Sequence, residues 1–262
     1  MRNLYAIYRK EMGHYFVSPV AFVVIGIFLV LTGFFFTRVL AAVMQAAFEA
    51  AMQGMQFGGM MPMDVPGIVL RSFFGILSFL LLLITPALTM SAYAEERKRG
   101  TMELLMTSPV TDAQIVLGKF FASLSLYAIM LFPTVCYAVF MFLHSDPAPP
   151  WKLLFGGYLG AILLGAALLA IGSFISSLTE NQLIAAVLTF GVFIFLWVID
   201  FGARGGGGDW SEVLQYLSVT RHFDDFSRGV IDTSSVIFYT SLAILGLFLT
   251  MRSIDSMRWR RA

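Results

Sequence analysis

Residues 94–114 read AEERKRGTMELLMTSPVTDAQ, and where they lie decides the fold. Six charges, Glu95, Glu96, Arg97, Lys98, Arg99 and Glu103, fall within nine positions, and long apolar runs flank them on both sides. Over all 262 residues, 58% are hydrophobic and only 13% charged. A soluble domain carries about 25% charged residues, so half that level indicates a chain embedded in lipid. Mean hydropathy is +0.82. A charged island between two membrane-length apolar runs is a loop at the membrane surface.

Working outward from that loop, a membrane span needs about 20 mostly apolar residues, and six stretches qualify: 19–37, 68–92, 115–143, 153–177, 183–201 and 236–251. The apolar run of the first is longer than the roughly 7–15 residues of a signal-peptide core and has no small-x-small site directly after it. It is therefore an uncleaved span. Six spans put both termini on one side, which holds eleven of the lysines and arginines against six on the other. The positive-inside rule places that side in the cytoplasm. The expected fold is an all-α membrane protein of six transmembrane helices with both termini cytoplasmic.

Residues 1–16 set Leu4, Tyr8, Met12, Tyr15 and Phe16 on one helical stripe, with Arg2, Arg9, Lys10 and His14 elsewhere. That pattern predicts an amphipathic helix lying in the membrane interface. Ser18 caps the next helix and Pro19 is its first residue. Residues 17–262 then form a single six-span domain with outer loops at 38–67 and 202–232 and the charged loop at 94–114.

The charged loop has punctuation of its own. Gly100 ends or kinks the helix that continues out of span two. Thr101 caps a short turn over MELLM, with Glu103 near its positive end, and Pro109 breaks it. Thr111 to Gln114 form a T-x-x-Q capping box that opens span three. Thr179, Glu180, Asn181 and Gln182 repeat the T-[D/E]-x-Q form before span five. Capping chemistry alone accounts for both boxes, yet both fall on turns of the same side.

Several other features bear on function. The first outer loop carries Met52, Met55, Met60, Met61 and Met63. Clustered thioethers suit Cu(I), but no cysteine or histidine accompanies them, and flexible apolar filler is the simpler reading. In span four, Gly157, Ala161, Gly165 and Gly172 nearly share a face, with Gly156 and Gly160 beside it; such faces allow close helix packing, within a chain or between subunits. The lone Cys136 reads as an inert thiol. There is no HExxH, no GxSxG, no clustered Cys/His pattern and no GxxxxGK[ST] phosphate loop, since Gly118-Lys119 lacks the upstream glycine. By that route the chain is not an enzyme. Apart from Asp200 at the outer end of span five, carboxylates are absent from the apolar cores, which argues against an ion-coupled transporter.

The string YAEERKRGTMELLMTSPVTDAQIVLGKF resembles the hallmark loop of the type-2 ABC-exporter permeases, and the six-span plan with its interfacial helix fits that family. SPVAFVVIGIFLVLTGFFF, ENQLIAA and FDDFSRGVIDTSSVIFY resemble more narrowly the gliding-motility-type permease subunit. The resemblance implies a non-catalytic permease subunit in a bacterial inner membrane. It implies a second permease copy or paralogue beside the chain, and a separate cytoplasmic ATPase that binds the ATP and magnesium. It also implies contact with that ATPase through the interfacial helix, through Glu95, Glu96, Arg97, Gly100, Thr101, Glu103, Leu104, Leu105, Thr107 and Pro109, and through the turn at 176–181 with Thr179, Glu180, Asn181 and Gln182. Glu95 and Glu96 match the family's acidic pair and are expected to pair with basic residues nearby. No metal or cofactor is expected in this chain, membrane lipid surrounds it, and nucleic acid is not a partner. A copper-enzyme-maturation permease and a membrane scaffold that recruits an ATPase stand as alternatives.

Overall fold

In a computed structural model the chain is described over residues 2–57, 64–102, 105, 110–205, 216 and 218–259. Among these residues all regular structure is helical. The helices are α1 (Arg2–Val17), α2 (Pro19–Phe57), α3 (Val65–Thr89), α4 (Ala94–Lys98), α5 (Asp112–Leu131), α6 (Val135–His144), α7 (Trp151–Leu178), α8 (Gln182–Gly205), α9 (Val219–Ser227) and α10 (Thr233–Trp259). Among the described residues, six helical stretches are long and apolar enough to cross a membrane. Span two comprises α3 and α4, and span three joins α5 to α6 through a short 3₁₀ turn at Phe132–Thr134. That turn contains Pro133, which has no N–H for an α-helical bond.

The first span departs from expectation. Its helix does not stop near residue 37 but runs 39 residues to Phe57. At 1.5 Å per residue it is about 58 Å long, against a hydrocarbon core of about 30 Å. The extension is built from strong helix formers in AAVMQAAFEAAMQ, and Gln45 donates to Glu49 one turn on, at 3.0 Å. Residues 38–57, about two thirds of the expected outer loop, are therefore helical and continuous with the span. The methionine cluster lies, beyond Met52, outside the residues whose side chains are described.

α7 is the hub of the bundle. It packs against α3, α5, α8, α9 and α10. Its small residues make this possible: Gly157 faces Phe74, Gly160 faces Phe226, Gly165 faces Tyr127 and Gly172 faces Thr89. At Gly165 a side chain would run into the Tyr127 ring, whose hydroxyl donates to the Ala161 carbonyl at 2.8 Å. The stripe of Gly157, Ala161, Gly165 and Gly172 is thus turned inward, against helices of the same chain.

At one end of the bundle, α9 is capped by Ser218 and stopped by Gly229 at φ +77°. Its Val219, Phe223 and Phe226 are buried, and the Tyr239 hydroxyl donates to the Val219 carbonyl at 2.7 Å. α9 is therefore packed back onto the spans. At the other end α1, the charged loop, the start of α5 and the end of α10 share a second, smaller core of Ile7, Tyr93, Met102, Ile115, Val116 and Ile254.

Candidate coupling surface

The site is built around a break in span two. α3 ends at Thr89 rather than continuing through the charged residues, and the chain turns before α4 begins at Ala94. A break in a helix strands backbone donors and acceptors. Ser176, fully buried on α7, satisfies three of them: its hydroxyl accepts from the N–H groups of Tyr93 and Ala94 at 3.1 and 3.2 Å and donates to the Met90 carbonyl at 3.0 Å. One serine therefore ties the charged loop to the turn at 176–181. Arg97 makes a second tie, donating to the Ser177 carbonyl at 2.6 Å and pairing with Glu180 at 3.3 Å.

On the other flank the loop is held by a buried ion cluster. Lys119 lies two turns into α5 and only 5% of its side chain is exposed. Its ammonium donates to Glu11 of α1 at 3.1 Å and to the Ala92 carbonyl at 2.9 Å. It also sits 3.1 Å from Glu96 Oε2, an ionic contact without hydrogen-bond geometry. The ring of Tyr93 lies 5.3 Å from the same nitrogen. Lys10 closes the cluster from outside, donating to Glu96 at 3.2 Å. Burial alone would lower the Lys10 pKa, but the carboxylates of Glu96 and Glu11 outweigh it and raise the value. Two carboxylates and two ammoniums balance in charge, which makes such burial tolerable.

The same contacts seat α1 on the bundle: its most buried positions are Ile7 and Glu11, while Phe16 is exposed. The helix is pressed against α5, where Gly118 leaves room for Ile7 and Ser125 accepts from the Tyr8 hydroxyl at 3.2 Å. Burial raises the Tyr15 pKa, with Glu11 and Glu96 adding to the effect.

The expected site residues fall as follows. Glu96 pairs with Lys10 and Lys119, and Glu95 pairs with Arg99 one turn along α4. Gly100 has φ +70°, the left-handed conformation that glycine adopts without strain, and ends the helix. Thr101 donates to the Glu96 carbonyl at 3.4 Å, and Leu105 packs against the small core. Glu103, Leu104, Thr107 and Pro109 lie outside the described residues. Thr111 and Gln114 make both bonds of a capping box. The second turn is different: Asn181, not Thr179, caps α8, accepting from Leu183 and Ile184 N–H at 2.9 and 3.4 Å. Thr179 instead accepts from Asn181 N–H at 3.2 Å, and Glu180 and Gln182 take no part in capping. Asparagine is among the best capping residues, so the apparent repeat of the box is a coincidence of spelling.

Sequence reasoning missed Glu11 and the burial of Lys119, which it counted among the basic residues of the cytoplasmic side, and it placed Ser176 in the turn at 176–181 without the hydrogen bonds it makes there.

Compared with known proteins, residues 5–251 match the family described as ABC-2 family transporter protein. The chain belongs to that family. It is 29% identical over 161 residues to the protein named "Probable multidrug ABC transporter permease YbhR" of Escherichia coli K12, covering 59% of this chain and 42% of that one. It is 30% identical over 136 residues to "Probable ABC transporter permease protein NosY" of Pseudomonas aeruginosa, covering 50% of this chain and 49% of that one. The chain thus aligns with about half the length of each relative. With its six apolar spans, this ABC-2 family member is a multi-pass membrane protein.

Proposed function

We propose that the chain is the permease subunit of an ATP-driven ABC exporter, and that α1, the charged loop and the turn at 176–181 form the face on which a separate cytoplasmic ATPase bears. The observation that carries this reading is the pair of ties from Ser176 and Arg97, which join two turns 80 or more residues apart into one piece at one end of the bundle. A push on either turn is then transmitted to the foot of span two. The ion cluster carries the same push to α1 and span three.

In this reading the termini are cytoplasmic, the membrane is a bacterial inner membrane, and a second permease copy or a paralogue completes the pathway. Spans one and five support the last point, since in each only 17% of the most apolar window is buried within the chain. ATP and magnesium belong to the partner, and this chain catalyses no step itself. A link to gliding motility rests on the sequence strings quoted above, and loss of motility on deletion of the gene tests it separately.

Gentle detergent extraction of the tagged chain should recover an ATPase with a phosphate-binding loop. In the wild-type complex reconstituted in vesicles, ATP hydrolysis should respond to addition of a transported compound, whereas Arg97→Glu should weaken recovery of the ATPase. A chain that comes out alone, or an ATPase bound equally by Arg97→Glu, counts against the coupling face. Bound ATPase whose activity ignores every compound tried points to a scaffold.

A further inference from the structure

A cavity of about 320 Å³ lies where α1 turns into α2, between the foot of span two, α4 and the first residue of α8. Its walls are divided by chemistry. His14, Ser18, Ser91, Glu95, Arg99 and Gln182 supply polar groups, while Val20, Ala21, Val24 and Leu88 supply the apolar side. The polar groups belong to the charged-loop end of the bundle, and the apolar ones belong to spans one and two. The cavity therefore straddles a membrane interface. Past its apolar wall, the exposed side chains of Val20, Val23, Ile27 and Val30 continue along span one.

Two further features suit an occupant. The side chains of His14, Ser91 and Gln182, exposed or half-buried, hydrogen-bond to no described residue and are open to a ligand. Both signs of charge are also present: Arg99 and Glu95 pair with each other along α4, yet a guanidinium has five N–H donors and a carboxylate two oxygens. Groups remain to bind an anion and a primary ammonium side by side. A molecule with adjacent phosphate and ammonium and an apolar tail meets each of these demands.

We propose that this cavity holds the headgroup of a zwitterionic aminophospholipid from the leaflet on the charged-loop side. Its phosphate lies against Arg99 and His14, its ammonium against Glu95, and its acyl chain runs along the exposed face of span one. The inference needs only that the chain is embedded in a membrane, and stands apart from the exporter reading.

The test uses the full chain in nanodiscs of phosphatidylethanolamine, phosphatidylcholine and phosphatidylglycerol in equal parts, with retained lipid identified by native mass spectrometry after detergent release. One phosphatidylethanolamine per chain should survive. Arg99→Gln should weaken its retention roughly tenfold, the loss of one charge-assisted hydrogen bond. Glu95→Gln should shift the preference to phosphatidylglycerol, because it removes the carboxylate that receives the ammonium and frees Arg99. Ala21→Phe, which fills the cavity and leaves every charge in place, should abolish retention while thermal unfolding shows the fold intact. Equal retention of all three lipids, or retention unaltered in Ala21→Phe, overturns the proposal. So does glycerophosphoethanolamine, the headgroup without acyl chains, if it competes as well as the intact lipid, because the site would then serve a soluble ligand.

Discussion

Inside the bundle α7 meets its neighbours through glycine, whereas at the charged-loop end α1, α4, α5 and α7 meet through ions and hydroxyls. The first kind of contact is close packing between surfaces that exclude everything else: Gly165 against Tyr127 leaves no space for a side chain. The second is a set of discrete bonds around Ser176, Arg97 and Lys119, each between groups that water or another protein could also satisfy. Lipid offers no hydrophobic drive between helices, so the bundle relies on intimate fit. At the charged-loop end the helices are held by a few directional bonds, several of them buried, and a network of discrete bonds can be remade in a second arrangement. The same chain therefore carries a body suited to stay rigid and a junction suited to move.

Lys119→Met attacks the junction most severely. It leaves Glu11 and Glu96 facing each other, with 10% and 15% of their side chains exposed and the main counter-charge gone. Stranding buried charge costs about 3–5 kcal/mol, which should appear as a large fall in thermal stability in detergent. Adding Glu11→Gln should recover part of the loss, and Lys119→Arg most of it. A Lys119→Met protein as stable as wild type would show that the cluster is solvated and holds nothing together.

Gly165→Leu probes the body in the same assay. Overpacking of this kind costs about 1–3 kcal/mol or more, and here it also displaces the Tyr127 hydroxyl from the Ala161 carbonyl. Unlike Lys119→Met, no second charge change should relieve it, but Tyr127→Ala should, by opening the space. If Gly165→Leu is neutral, span four is not closely packed and the contrast between body and junction fails.

These two sites also divide what the sequence disclosed from what it did not. Residues that act within a turn or two of themselves were legible: Pro19 opening a helix, Gly100 closing one, Thr111 and Gln114 boxing the next. The six spans were legible because apolar length is a local property. The small face of span four could be seen, but not which helices it met. Glu11 and Lys119 are 108 positions apart, and Ser176 and Met90 are 86 apart. Periodicity describes one helix at a time, and nothing in either stretch names its partner. The helical extension from residue 38 to Phe57 was hidden for another reason: the apolar run ends near Thr37, whereas the alanines beyond it, the best helix formers, carry the helix on without it.

Ser176→Ala should cost less than either change above. It removes one acceptor shared by two N–H groups and one donor, a loss on the order of 1–3 kcal/mol where the backbone stays dry. Its effect should also be local. Hydrogen exchange should quicken at Tyr93 and Ala94 while Leu168 and Leu169, fully buried in the same helix, keep their protection. Uniform quickening along α7 would mean that junction and body unfold as one unit, and that the two kinds of contact do not mark separable parts.

The smallest effect discriminates between the two turns themselves. If Thr179 began a capping box as Thr111 does, its removal would cost the helix its cap, typically about 1 kcal/mol. The geometry instead gives that role to Asn181, which holds the N–H groups of both Leu183 and Ile184. Asn181→Ala should therefore lower stability by about 1 kcal/mol, whereas Thr179→Ala should cost only a few tenths, the usual scale for surface changes away from a cap. Thr111→Ala, at a box with both bonds formed, should match Asn181→Ala. Equal losses at Thr179 and Thr111 would restore the repeat, and with it the idea that the two turns present the same helix end to one partner. Unequal losses mean that the turns are joined through Ser176 and Arg97 without being alike, so that a partner touching one acts on the other through the protein rather than by reading the same motif twice.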